Sequence, residues 1–278
     1  ANFTAHAVDT IRSLSNSGTV LITSDYTVAN AVTNAAGATL TVADGKAATV
    51  GTLVNSGTAT FGGTLLANGV MGDPAGVAIL NQVGGVVNLK GNVTVTGGDP
   101  SADRRFRNLG TVNVLNSLQI HTLGYEGSGN TAITGTLTLE QTGASTYSGV
   151  ISGGSLVKTA AGVLTLTGAN TFTGGLTVSA GGVTMGSGVG AATGTLADTL
   201  DVTVASGANF TAHAVDTIRS LSNSGTVLIT SDYTVANAVT NAAGATLTVA
   251  DGKAATVGTL VDRKSTRLNS SHVSESRM

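Results

Sequence analysis

Apolar residues recur at every second position in short runs along this chain: Leu40 and Val42, Val87 and Leu89, Val112 and Val114, Leu137 and Leu139. The alternation persists at Leu164 and Leu166, Leu176 and Val178, and Val202 and Val204. A period of two places these side chains on one face of an extended strand, with the intervening Thr, Asn and Ser on the other. Many runs follow corners of one chemistry, an Asn with Gly two or three residues later. These corners begin at Asn16, Asn34, Asn55, Asn81 and Asn108, at intervals that lengthen along the chain. One such match means little in a chain with 39 Gly; five in succession, each leading into a strand, define a period.

Short strands recurring every ~20 residues, with no long helical segment between them, predict an all-β fold of the β-solenoid type. Successive rungs would stack at about 4.8 Å, and roughly twelve would account for the chain. A single rung cannot bury its apolar face, whereas stacking buries a continuous column of Val, Leu and Ile. Asn16, Asn34, Asn55, Asn81 and Asn108 can then stack as a turn ladder of side-chain amides. A β-sandwich also has short, evenly spaced strands, but the repeated corner chemistry favours the solenoid. Only A-H-A-V-D-T-I-R-S-L at 5–14 hints at a helix, through Val8, Ile11 and Leu14. Its β-branched residues argue for a corner and a short strand instead.

Composition narrows the class further. Charged residues make up 10% and aromatics 3%, with two Pro, no Trp and no Cys, against about 25% charged residues in an average globular domain. Disorder would need few apolar residues and much charge, and collagen would need Gly in every third position. Residues 1–261 hold nine Lys and Arg against thirteen Asp and Glu, net −4. Nothing there forms the basic footprint a nucleic acid requires. No run of 18 apolar residues predicts a membrane-spanning helix. The absence of Cys removes disulfides, thiolate catalysis and Cys-ligated zinc.

A longer period overlies the short one. Residues 1–54 and 208–261 are identical, at a constant offset of 207. Residues 1–261 therefore read as a β-helical segment with a long unit, 1–207, and a partial second copy, 208–261. The chain start lies inside the duplicated block and carries no signal peptide, so the expectation is an internal piece of a longer protein. The first copy continues into Asn55-Ser56-Gly57, the next corner. The second runs into D-R-K-S-T-R-L-N-S-S-H-V-S-E-S-R-M, a short stretch with six charges against 22 in all that precedes it. Residues 262–278 resemble the in-frame translation of a common sequencing-library adapter and are expected to be an unpacked coil, or a helix with few contacts.

Candidate chemistry is sparse. There is no G-x-S-x-G, P-loop, H-E-x-x-H or calcium-binding G-G-x-G-x-D nonapeptide, so neither cofactor nor metal is expected. His6 and His213 are copies of one position, and His121 stands alone in sequence. Carbohydrate-cleaving solenoids need carboxylates that converge on one face. The close pairs here, Asp198 with Asp201 and Asp99 with Asp103, read more simply as turn formers. The most distinctive stretch is G-G-D-P-S-A-D-R-R-F-R-N at 97–108, in the longest interval between corners. Asp99, Asp103, Arg104, Arg105, Phe106 and Arg107 are expected there on a loop extruded from a rung, as a candidate binding site.

At 155–185 the chain reads S-L-V-K-T-A-A-G-V-L-T-L-T-G-A-N-T-F-T-G-G-L-T-V-S-A-G-G-V-T-M. This resembles the autotransporter-associated β-strand repeat of bacterial passenger domains. Lys158, Gly162, Leu164, Leu166, Gly168, Asn170, Thr171, Gly174, Val178 and Gly181 fall on the pattern. Ala160 stands where Gly is usual, Phe172 for Tyr, Leu176 for Thr and Val183 for Leu. The resemblance implies a right-handed parallel β-helix at the surface of a Gram-negative cell, with an outer-membrane barrel expected in the parent chain. It also implies a non-catalytic stalk presenting loops to a host or matrix surface, or to like passengers on neighbouring cells. A secreted β-helical polysaccharide-active enzyme and a self-associating spacer are the alternatives.

Overall fold

The computed structural model describes residues 2–69, 77–96, 105–188 and 193–263, and the backbone of Val273–Glu275. Every regular element among them is a strand, and the named pairings are parallel and step forward by about one rung. The architecture is a β-solenoid of about 13 turns among the described residues. The chain forms two compact units, residues 1–140 and 141–278.

In the first unit each turn contributes to three stacks of strands. One stack runs through Asn2–Ala5, Thr19–Ile22, Thr39–Val42, Thr58–Phe61, Val86–Leu89 and Thr111–Val114. A second includes Asp9–Ile11, Leu65–Ala67, Val93–Val95 and Leu118–Thr122, and a third Leu14–Asn16, Ile79–Asn81 and Arg105–Asn108. Tyr26–Asn34 and Ala48–Asn55 each serve both stacks, passing from one to the other through a register shift. In the second unit Ser145–Tyr147, Val163–Leu166, Gly182–Met185, Asn209–Ala212, Thr226–Ile229 and Thr246–Val249 form one such stack. The segment at 5–14 contains the strand Asp9–Ile11 and the first residue of the strand Leu14–Asn16, in keeping with its β-branched residues.

The alternating pattern determines what is inside. All fourteen residues of the seven alternating pairs named above are buried, none more than 2% exposed. Inward positions stack on inward positions, as at Leu40 on Ala59 and Val42 on Phe61. The stacking is close enough to dictate residue type at a corner. A Cβ on Gly57 would lie 2.3 Å from the Ala38 carbonyl oxygen and 2.4 Å from that of Ala35.

The duplicated segment shows how far burial depends on the neighbouring rung. Phe210 is 1% exposed beneath Val183, whereas Phe3, in the identical sequence, is 46% exposed. Among the described residues no strand pairs with the outer edge of Asn2–Ala5. At the other end the strand Ala255–Asp262 includes the first residue of the expected unpacked tail. Val273–Glu275 pairs in parallel with Ala255–Val257; an open strand edge can accept a further strand through its backbone.

Gly57→Ala is expected to destabilise the first unit by about 1–3 kcal/mol, because both obstructing atoms are backbone. Urea denaturation followed by circular dichroism checks it; an unchanged midpoint would show that the corner can open.

Candidate functional site

The five corner asparagines form one hydrogen-bonded column. Asn16 Nδ2 donates to Asn34 Oδ1 at 2.8 Å, Asn34 to Asn55 at 2.8 Å, Asn55 to Asn81 at 2.9 Å and Asn81 to Asn108 at 2.9 Å. The second N–H reaches a main-chain oxygen of a following turn: Thr39, Thr58, Val86 and Thr111 for the first four. At the ends of this row, Asn16 and Asn108 Oδ1 accept the N–H of Gly18 and Gly110. Buried amides this well satisfied fix register as well as add stability, since a shifted rung would leave donors unpaired. In the second unit Asn223 donates to Asn241 at 2.8 Å, and Asn241 to Asp262 Oδ1 at 3.4 Å.

The conspicuous stretch at 97–108 divides. Asp99, Asp103 and Arg104 lie outside the described residues. Arg105, Phe106 and Arg107 belong to the strand Arg105–Asn108, which corrects their placement on an extruded loop. Phe106 is fully buried, packing edge-on against Tyr125 with ring centroids 5.2 Å apart. Arg105 and Arg107 face outward on either side of it, and both bond Glu126 on the next rung, at 2.8 Å in each case. The period-two alternation of R-F-R-N predicts this arrangement; the length of the interval obscured it. This leaves the two guanidiniums, and not the ring, as groups a partner could reach.

Two further clusters emerge only when rungs are aligned. On one face of the first unit Asn92, Thr94, Gln119, His121 and Glu140 line a groove of about 290 Å³. His121 Nδ1 lies 3.0 Å from Glu140 Oε2, which also accepts from Gln119. His121 and Glu140 are one rung apart, a signal that appears when the sequence is written in rungs and not when it is scanned for local motifs. In the second unit Asp198, Asp216 and Asp232 border one concavity of about 470 Å³. Asp216 is 9% exposed and accepts the Leu196 N–H at 2.8 Å. Burial pushes its carboxyl up to about 6, aided by the Asp198 charge and opposed by the Leu196 and Thr217 N–H groups. No group of three potential metal ligands converges among the described residues.

The stretch around Lys158 is tied together across rungs. Lys158 is fully buried, and its Nζ donates to the main-chain oxygens of Gln141 (3.2 Å), Thr159 (2.6 Å) and Ala160 (3.0 Å). Burial pushes the Lys158 amine down to about 8, and the three carbonyls supply the compensation a buried ammonium needs. Ala160 adopts φ 61°, alone among described non-glycine residues in the left-handed region. Gly162 N–H bonds Gln141 O. A Cβ on Gly168 would fall 2.1 Å from Gly149 O. Asn170 Oδ1 accepts the Ile151 N–H, and its amide donates to Gly168 and Thr195 oxygens.

Fold and corner chemistry together define a structural β-solenoid whose rungs are fastened by buried polar side chains. The family model of the passenger-associated-transport-repeat matches residues 134–157 and 156–185. Residues 134–185 are thus similar to a repeat of autotransporter passengers, and their conformation is β-helical. No curated protein and no solved structure matches the chain.

Two outcomes are expected. Ala160→Gly should stabilise the protein by about 1 kcal/mol, since it relieves a left-handed alanine; a lower denaturation midpoint would contradict this. Asp216 gives a pH signature. Its folded-state pKa is raised, so its contribution is fully present below about pH 4 and is lost as pH rises to about 6. The loss is up to about 3 kcal/mol. Asp216→Asn should remove that slope and be the more stable chain at pH 7, as read from midpoints between pH 4 and 7.

Proposed function

We propose that this chain is part of the structural and adhesive stalk of a surface-exposed autotransporter passenger, holding binding groups away from a Gram-negative cell. The observation that carries the reading is the role of the repeat's own residues. Lys158, Gly162, Gly168 and Asn170 all lie at contacts between one rung and another, which supports reading the matched sequence as a scaffold. Outward positions carry mainly Thr, Asn and Ser, which give a solvated surface with few charges. Arg105 and Arg107 are the groups assigned to contact with a host or matrix surface, or with like passengers. The parent chain would supply an outer-membrane barrel for export.

The alternative, a polysaccharide-active enzyme, draws on the Asp198, Asp216 and Asp232 concavity. Against it, the Asp216 carboxylate is engaged by the backbone, and it has little exposed surface to offer a substrate.

Displaying the chain on a bacterial surface between a signal sequence and a barrel tests the proposal. Cells carrying it should adhere to matrix-coated plates or to one another. Substituting Arg104, Arg105 and Arg107 by Ala should reduce adhesion several-fold while the circular dichroism spectrum is kept. Unchanged adhesion by the triple variant would remove the assigned role, and release of reducing sugars from polysaccharide would favour the enzyme.

A further inference from the structure

The groove beside His121 holds more chemistry than its ion pair. Leu66, Thr94 and His121 stand in register on three successive strands, and Glu140 follows one rung later. Each of the four alternates with buried neighbours and faces outward. Beyond half-buried Leu66 the order along this column is hydroxyl, imidazole, carboxylate. A carboxylate only accepts, so the proton between Glu140 Oε2 and His121, 3.0 Å apart, sits on Nδ1. In the neutral ring Nε2 is then the acceptor. Gln119 also donates to Glu140 and holds the carboxylate in place. Neither His121 Nε2 nor Thr94 Oγ1 has a hydrogen-bond partner among the described residues. Asn92 Oδ1 accepts the Gln119 N–H at 2.9 Å, which fixes that amide and leaves its Nδ2 donor unpartnered among the same residues. Asn92, Thr94, Gln119, His121 and Glu140 all line the one space of about 290 Å³.

We propose that this groove is an acyl-transfer site that hydrolyses short, uncharged carboxylic esters. Thr94 is the nucleophile, His121 the base, Glu140 the positioning acid and Asn92 Nδ2 the oxyanion donor. Such sites are recognised by these roles and their mutual geometry, whatever the fold or the order in sequence. A surface ion pair accounts for His121 and Glu140 alone; it does not account for a free hydroxyl in register on the next rung or a tethered amide with a free donor. The hydroxyl and Nε2 are not bonded to each other here, and contacts of this kind commonly tighten only when substrate binds. In the first step Thr94 Oγ1 bonds to the ester carbonyl carbon and its proton passes to His121 Nε2. The bond to the ester's alcohol oxygen then breaks, and the alcohol leaves with that proton. Water attacks the acyl-threonine, gives a proton to Nε2, and Thr94 recovers it as the carboxylic acid departs. Asn92 Nδ2 meets the oxygen that turns negative in both steps. The groove is at the small end of ligand sites, no Lys or Arg lines it, and Glu140 repels anions, which together select a short neutral acyl group. The inference goes beyond the stalk reading and does not rest on it, since a scaffold can carry a reactive groove on one face.

The test uses the full chain and p-nitrophenyl acetate. p-Nitrophenolate should appear in a burst followed by steady release, and digestion with mass spectrometry should place an acetyl group on Thr94. Thr94→Val keeps size and β-branching and should take up no acetyl group at this position. His121→Ala should lower release by about 100-fold or more. In Glu140→Gln an amide N–H would face Nδ1 and move the ring proton to Nε2, so release should fall as far although the circular dichroism spectrum is kept. Glu140→Asp should recover part of it, which a purely structural role for Glu140 would not produce. Absence of an acetyl group from Thr94 in the unaltered chain overturns the proposal, and that measurement stands even if a variant fails to fold. Undiminished release by Thr94→Val, or acetyl found on His121 alone, would leave the imidazole acting by itself and overturn it as well.

Discussion

The structure depends on close parallel stacking with corner placed over corner. At that spacing a corner residue is judged by the same position one rung away, and much less by its neighbours in sequence. Asn55 is useful because Asn34 stands on one side and Asn81 on the other; alone it would be a buried amide with donors to spare. Gly57 is required because the Ala38 and Ala35 oxygens occupy the space of its missing side chain. Packing follows the same rule, since each Val or Leu column excludes water only where the next rung continues it.

This explains which parts of the molecule were legible in the sequence. Period-two alternation shows itself within a single short strand, so Leu40, Val42 and their counterparts could be assigned inward from local pattern alone. The asparagines at 16, 34, 55, 81 and 108 were visible because Gly follows each at nearly constant distance. Column neighbours were harder, because rung lengths vary. The rung that separates His121 from Glu140 is much shorter than the one that separates Asn81 from Asn108 on the same solenoid. Without the register, the spacing of that histidine from that glutamate carries no information. The stretch R-F-R-N misled for a related reason: the long interval pointed to a loop, while its last four residues had already resumed the strand alternation. Ala160 stands where Gly is usual, and its backbone at φ 61° shows what the glycine position demands.

The two copies of one sequence separate what residues specify from what surroundings add. Both copies form the same strands, as Asp9–Ile11 and Asp216–Ile218 show. Local conformation is thus written in the segment. Burial is not, because Asp9 is exposed while Asp216 is enclosed and pushed toward its protonated form. Rungs that adopt their shape reliably can be added in number.

The asparagine column also has a direction. Every link in it runs from an Nδ2 to the Oδ1 of the following rung, from Asn16 through to Asn108. Strand dipoles largely cancel in sheets, but these amide dipoles point the same way and add, as peptide units do in a helix. The first unit therefore carries an electrical polarity along its stacking axis, positive toward later rungs. In the second unit the corresponding row ends on the carboxylate of Asp262, so the positive end of that row faces a negative charge.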